Sequence, residues 1–426
     1  MSRSASWPIA IRSVDLSKPL APIGGLGRYS RVRVFVSQGE DLIGSVDIWH
    51  RGAESVSVSR LTDVIAEQFG LVLFQRELHG QLLNRGPAIA PIPSMKVSIV
   101  VPTCDRPADL RGCLASLTAQ RTRHNLEIIV VDNRPSGEMA RRVAAGFPSV
   151  RLVSEHRPGL SYARNTGITQ ATGSIVITTD DDVVAPDGWI EKLVQPFARP
   201  EVMAVTGQVL PIELETEAQC RFEAYGGLGK GFAPFEVDAA WLRAPRGAAP
   251  TWTIGATANA AFRASIFTDP AVGLLDEALG AGMPTGCSED TYLFYRILNA
   301  GHTIVYQPSA YVWHRHRASM DSLRAQIYAY SKGHVAYHLT TWMKEGDRRA
   351  FVRLAYSLPK TYLCRAWERL RRHSDYPLSL IVIEILGNLA GPLALWRARR
   401  RVRRLGASER RSTERNDAVP LESQVS

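Results

Sequence analysis

The stretch IVITTDDDVVAPDGW, Ile175 to Trp189, runs from five β-forming residues straight into three carboxylates and then into a proline and glycine turn. Adjacent carboxylates repel one another and resist ionising together, so the arrangement costs stability unless water, a base or a cation neutralises them. With Asp180 and Asp182 facing one way and Asp181 another, the outer pair makes a hard oxygen site. Such a site suits Mg2+ or Mn2+ held beside a ligand phosphate. The plainer reading is an aspartate-rich turn that caps the next segment.

The elements that must position these carboxylates can be read on either side of them. From Val97 the short apolar runs VSIVVP, LEIIVVD, VRLVSE and SIVITTD alternate with helical patterns, which predicts an α/β unit around a parallel sheet. Pro107 suits a first helical turn, and Leu110, Leu114 and Leu117 give the helix behind it one apolar face. Open α/β sheets bind ligands beyond the carboxyl ends of their strands, where Thr103, Asp105, Asp132 and Asp180 all fall. Upstream, RVRVFVSQGEDLIGSVDIW reads as a β-hairpin turning through Gly39 to Asp41. A helix is expected after it, capped by Ser59, apolar at Leu61, Val64, Ile65 and Phe69, and ended by Gly70. The proline-rich GPAIAPIPS, Gly86 to Ser94, reads as a connector.

Composition limits the function classes. A 426-residue chain with 45% hydrophobic and 22% charged residues has enough apolar material for more than one folded domain and is not a disordered protein. The formal charge of +10 owes much to RARRRVRRLGASERR, Arg397 to Arg411, a run suited to an anionic surface or to plain solvation. Directly before it lies PLSLIVIEILGNLAGPLALW, Pro377 to Trp396, about as long as a membrane span. Glu384, Asn388 and the interrupting Pro392 favour an interfacial or re-entrant helix over an unassisted span, with a buried core helix as the soluble alternative. Gly387 and Gly391 form a GxxxG, a weak signal alone. The contiguity of apolar helix and polybasic run points to an anionic membrane surface rather than nucleic acid. Cys104, Cys113, Cys220, Cys287 and Cys364 are odd in number and lack CxxC spacing, which suggests neither a disulfide framework nor a zinc ribbon and fits a reducing cytosol. The first residues show no apolar core or cleavage pattern, so a cytoplasmic protein, peripheral or re-entrant at the inner face of the cell membrane, is expected.

Taken in order, several segments resemble the family 2 glycosyltransferases. VSIVVPTCDRPADLRGCLASL looks like that family's opening strand and helix, and EIIVVDNRPSGE like its second strand with an aspartate. GLSYARNTGITQATGSIVITTDDD is similar to the run into the metal motif. CSEDTYLFYRILNAGHTIVYQPSAYVWHRHR looks like the acceptor-side ED motif, its helix, and a strand ending in histidine. The resemblance covers about Val97 to Arg317. It implies a GT-A type, Rossmann-like, mostly parallel α/β sheet over 96–320; the residue patterns outside it add a small α+β accessory domain over 1–95, a helical membrane-associating region over 321–405 and a disordered tail over 406–426.

The resemblance also implies roles. Thr103 and Asp105 would grip base and ribose. Asp132 would accept from a ring N–H, which uracil, thymine and guanine all offer, so UDP is favoured only as the family's commonest donor. Arg164 and Asn165 would reach the nucleotide together with Asp180 and Asp181, and Asn259, in GATANAAFR, would touch the donor sugar. Asp180, Asp182 and His314 would hold Mg2+ or Mn2+, with His316 the lesser choice. Asp290, or failing it Glu289, would be the base of an inverting transfer, although acids at a helix N-terminus are also favoured by capping and the dipole. The implied activity is transfer from a nucleotide-sugar to a lipid-linked or polysaccharide acceptor in cell-surface glycan synthesis. Alternatives are a nucleotidyltransferase, for which TCDRPADLRG lacks a glycine-rich basic loop, and a silent GT-A scaffold or carbohydrate-binding module. GGLGRY lies in the first domain, and GGLGKGF lacks the spacing and the following Ser or Thr of a phosphate-binding loop. The second reads as a mobile loop over the acceptor cleft.

Overall fold

The computed structural model describes residues 7–50, 52–83, 92–371 and 376–409. Near the N-terminus, β1 (Ile9–Asp15), β2 (Arg31–Gln38) and β3 (Asp41–Trp49) form a three-stranded sheet, with β1 parallel to β2 and β2–β3 the expected hairpin. Helix α1 (Val58–Leu83) buries Leu61, Val64, Ile65 and Phe69 against Val34, Val36 and Ile48. It differs from expectation at both ends. Ser57, not Ser59, accepts from the backbone of the first turn (Arg60 N, 3.3 Å). Gly70 sits within the helix, because one glycine costs only about 1 kcal/mol and the Leu, Gln, Arg and Glu residues beyond it are good helix formers. The connector expected at Gly86 to Ser94 lies largely outside the described residues, as does most of the tail after 406.

The large sheet begins with β4 (Lys96–Thr103), followed by α2 (Pro107–Thr118), β5 (Asn125–Asp132), α3 (Met139–Ala144), β6 (Val150–Ser154), α4 (Leu160–Gln170) and β7 (Ile175–Thr179). It continues through β8 (Val183–Val184), α5 (Trp189–Val194), β9 (Val202–Pro211), α6 (Glu217–Tyr225), β10 (Phe235–Val237), α7 (Ala239–Arg243), β11 (Asn259–Arg263), α8 (Glu289–Asn299) and β12 (Thr303–His314). The strand order is β10-β12-β9-β11-β7-β4-β5-β6, with β8 on β12. Strands β7, β4, β5 and β6 are mutually parallel, and β11 runs antiparallel between β7 and β9. The central strands β4, β5 and β7 are predominantly apolar because both of their faces are covered. Val97, Ile99 and Val101 meet Leu110, Leu114 and Leu117 of α2 on one face, while Val100, Ile129 and Val131 meet Tyr162, Ala163 and Ile168 of α4 on the other. Helix α4 lies so close to the sheet that a Cβ on Gly167 would come within 2.3 Å of Val100, which fixes the height of Arg164 one turn earlier.

The small sheet docks on the end of β9 and β12. Phe35 and Leu42 pack with Leu210, the Phe35 and Trp313 rings meet edge to face at 5.0 Å, and Ile9 N donates to Leu214 O at 2.8 Å.

The chain closes with α9 (Met320–Glu345), α10 (Arg349–Val352), α11 (Leu358–Leu370) and α12 (Leu378–Leu405). The apolar stretch and the arginines up to Arg404 are one continuous helix. Pro392 removes one backbone donor without breaking it, since α12 is held along α9. Gly387 and Gly391 serve that contact: a Cβ on either would collide with Ser331 or Val335 of α9. The GxxxG is used inside the chain.

Candidate functional site

Strand β7 ends at Thr179, and the three aspartates turn out beyond it. The antiparallel pairing of β8 with β12 sets His314 opposite Val183, next to Asp182. Donor atoms of Asp180, Asp182 and His314 consequently lie within 4.8 Å of one another. His314 Nε2 is 3.2 Å from Asp182 Oδ1, yet that buried oxygen has no hydrogen-bond partner. Two carboxylates and an imidazole, one oxygen orphaned, fit a divalent cation. Asp181 turns into the sheet and accepts from Thr103 Oγ1 at 2.8 Å. Burial pushes its carboxyl up to about 7, and the charges of Asp182 and Asp180 add to the effect.

Positive charge is arranged around these acids. Arg106 pairs with Asp182 and lies 3.5 Å from Asp181. Burial opposes ionisation of Asp182, but His314 and Arg106 together hold it below the ordinary carboxylate range. His314 is likewise raised, against its burial, by Asp182. The Nδ1 atoms of His314 and His316 are 3.1 Å apart, and His316 Nε2 lies 2.9 Å from Glu223, which also accepts from Arg33 Nη1 at 3.0 Å. A polar chain therefore joins the N-terminal sheet to the aspartates.

Arg164 is fully enclosed and bridges the two sides. Its Nη2 donates to Asp180 at 2.6 Å and its Nη1 to Glu289 at 2.8 Å. Burial, followed by the charge of Asp290, raises the Glu289 carboxyl despite Arg164. Asp290 is half-buried at the start of α8, where its Oδ1 accepts from Thr291 N at 2.6 Å. Lys230, from GGLGKGF, feels the charge of Asp290, while burial lowers its own pKa. That loop is tied rather than loose: Lys230 N donates to Gln208 Oε1 at 2.8 Å, and Tyr306 donates to Gln208 at 2.6 Å or to Gly231 O at 2.7 Å.

Thr103 and Asp132 are neighbours in the β4–β5 register, at the edge expected to take the nucleotide. Asp132 accepts from Arg134 N at 2.9 Å, and Arg134 pairs with Asp105, whose φ is 55°. Two assignments fail on geometry. Asn165 spends its amide on Leu275 and Glu277 (each contact 2.9 Å), and turns away from the strand ends. Asn259 is fully buried, donating to Gln208 O and Ala310 O (both 2.8 Å) and accepting from Trp189 Nε1 (2.9 Å). It ties β11 to its neighbours and has no group left for a sugar. Asn259→Ala is accordingly expected to cost about 3 kcal/mol in denaturant unfolding, from the orphaned indole and carbonyls, without changing which nucleotide-sugar binds. A changed donor preference at unchanged stability would restore the sugar-contact role. Arg106 and Lys230 were not singled out from sequence, although Arg106 stands in the same loop as Thr103 and Asp105.

Residues 98–267 match the glycosyl transferase family 2 profile. They are a family 2 glycosyltransferase domain. The chain is 29% identical to the pre-mycofactocin glycosyltransferase of Mycobacterium tuberculosis over 53% of this chain and 43% of that one. It is 36% identical to the glucosyl-dolichyl phosphate glucuronosyltransferase of Haloferax volcanii, over 28% of this chain and 39% of the relative. The matches thus span less than half the length of these relatives. A mannosyltransferase from Pyrobaculum calidifontis, solved with GDP-Man and Mn2+, superposes with a TM-score of 0.47 at 19% identity, covering 77% of this chain and 96% of its own. The large mixed sheet spans this matched domain, and the motif aspartates and the α8 acids flank Arg164 at its edge.

Proposed function

We propose that the chain transfers a sugar, with inversion, from a nucleotide-sugar (UDP-sugar favoured) to a lipid-linked or polysaccharide acceptor at the inner face of a membrane, in cell-surface glycan synthesis. The observation that carries this reading is the placement of Asp180, Asp182 and His314 on one side of Arg164 and Glu289–Asp290 on the other. Asp180, Asp182 and His314 would hold Mg2+ or Mn2+, which when bound supplies Lewis-acid stabilisation of the leaving diphosphate. Thr103, Asp105 and Asp132 line the nucleotide edge, and Arg106 adds fixed positive charge there. Asp290 is the base. Glu289, buried and engaged by Arg164, is a positioning residue. The division at 1–95, 96–320 and 321–405 goes with this reading, the first part buttressing the catalytic edge and the last meeting lipid. A relative named for glucosyl-dolichyl phosphate favours a lipid-linked acceptor.

Membrane contact is supported by α12. Its inner face, with Leu380, Ile381, Ala394 and Leu395, is buried, while Val382, Leu386, Leu389, Leu393 and Trp396 are exposed on the opposite face. Glu384 points inward, where Arg365 (2.8 Å) and Tyr376 (2.6 Å) satisfy it. A helix packed on one side and bare on the other suits the interface better than a full crossing. Leu386→Ser with Leu389→Ser should weaken binding to anionic vesicles on the order of tenfold, measured by flotation. Unchanged binding would remove α12 from the membrane contact. The activity is tested by incubating the full chain and manganese with a panel of nucleotide-sugars, with and without lipid extract, and measuring nucleotide release. No release with any donor would refute the transferase reading of the whole chain.

A further inference from the structure

The arginine run is sorted by the helix that carries it. Arg399 faces inward and pairs with Asp276 at 2.8 Å. Arg397, Arg400, Arg401 and Arg404, spaced at i, i+3, i+4 and i+7, share the outer side of α12. Among the described residues none of these four has a carboxylate within salt-bridge distance. Together with Trp396 and Pro284 they line an open cavity of about 400 Å³. Arg400 lies over the Trp396 ring, 5.6 Å from its centre, and Arg401 Nη1 donates to Gly282 O at 3.2 Å. This is a concave site with a tryptophan wall and four uncompensated cations, unlike a convex solvated tail.

Its surroundings identify the ligand. The exposed stripe Val382, Leu386, Leu389, Leu393 and Trp396 occupies the same side of α12 and runs into the cavity, so one helix face is apolar for roughly 20 Å and then basic. A molecule matching it has a long apolar tail and an anionic headgroup. Four guanidinium forks suit phosphate oxygens, which they bind in bidentate pairs. Pro284 and Gly282 belong to a short loop closed by Gly280 N donating to Cys287 O at 3.2 Å. The loop also touches the catalytic side: a Cβ on Gly280 would come within 3.3 Å of the Glu289 carboxylate. A headgroup in the cavity is separated from the ED motif by this one loop.

We infer that the cavity between Pro284 and the arginine face of α12 is a subsite for the phosphate or diphosphate of a lipid-linked acceptor, whose tail follows the apolar stripe. The assignment rests on the proposed lipid-linked acceptor and adds a site for it. General attraction to an anionic bilayer predicts something different, because it depends on the number of charges and not on the shape of the groups bearing them.

Full-length protein is titrated by flotation with phosphatidylcholine vesicles carrying a small fraction of a polyprenyl phosphate, and with phosphatidylcholine vesicles carrying phosphatidylglycerol at matched surface charge. The polyprenyl phosphate vesicles should bind about tenfold more tightly. The triple variant Arg397→Lys, Arg400→Lys, Arg404→Lys keeps every charge and loses three of the four forks, leaving only Arg401, whose guanidinium is already engaged by Gly282 O. It should bind phosphatidylglycerol as the parent does, which also reports an intact α12, and show no preference between the two vesicles. Equal binding by the parent, or a preference that survives the lysine variant, overturns the subsite. Tight binding of inorganic pyrophosphate without lipid, lost in the lysine variant, would make it a site for free diphosphate and overturn the lipid assignment. Nucleotide release from the sugar donor with manganese, measured without lipid, should be equal in parent and variant. A parent inactive in that assay counts against the transferase reading and leaves the vesicle comparison intact.

Discussion

Asp182→Asn loses divalent-dependent binding of the nucleotide-sugar, and turnover falls on the order of a thousandfold, as expected when a charged ligand to the cation disappears. The companion effect is on stability. Without metal, Asp182 is the counter-charge of Arg106 and His314, so the neutral amide leaves two partly buried cations without it. A loss of roughly 2 kcal/mol is expected in metal-free protein. Its pH dependence follows from the two shifts. The Asp182 pKa is depressed, so its contribution is present above the ordinary aspartate value and is lost as pH falls through the folded value. The His314 pKa is raised, so its contribution is present below the ordinary histidine value and is lost as pH rises through the folded one. The gap between parent and variant is thus widest between about pH 4 and 6.5. Denaturant unfolding in chelator checks stability, and calorimetric titration of donor with manganese checks binding. A variant that binds donor and metal as the parent does would remove Asp182 from the cation site.

Asp290→Asn separates chemistry from binding. It keeps the size of the side chain and the contact with Thr291 N but cannot take a proton, so transfer falls about a hundredfold or more while donor affinity stays. Turnover is measured at saturating donor and metal, beside a direct donor titration. Glu289→Gln is the control, because its loss acts through Arg164 and Asp180 and should disturb donor binding as well. Near-parental turnover in the Asp290 variant, with a collapse confined to kcat in the Glu289 variant, would transfer the role of base to Glu289.

The four strands from β4 to β7 were legible because each is a fully apolar run bounded by turn residues, and the ends of these strands carried their polar residues with them. Strands β8 and β10, of two and three residues, leave no periodicity to read. Yet β8 is what sets His314 beside Asp182. Asn165 and Asn259 were misplaced because a polar residue in a segment resembling a binding site looks functional until its hydrogen bonds are counted, and here the fold uses all of them. Gly70 failed as a stop signal and Pro392 did not interrupt its helix for one reason: each carries a local penalty of a few kcal/mol at most, which packing of the rest of the helix outweighs. Arg106 escaped notice because an arginine three residues after a strand has no pattern of its own, and only the folded loop brings it to Asp182.

The line of contacts from Arg33 through Glu223 and His316 to His314 bears on modularity. The family match ends at residue 267, before Glu289, Asp290 and His314, and begins at residue 98, after Arg33. A protein engineer cutting at those borders would keep the aspartates and Glu223 and discard the histidine beside them together with Arg33 and His316, the struts on either side of Glu223. Transplanting only the matched core into another chain would therefore move the motif without its chemistry, and a chimera with a foreign N-terminal sheet would need a new partner for Glu223 before His316 could hold its place.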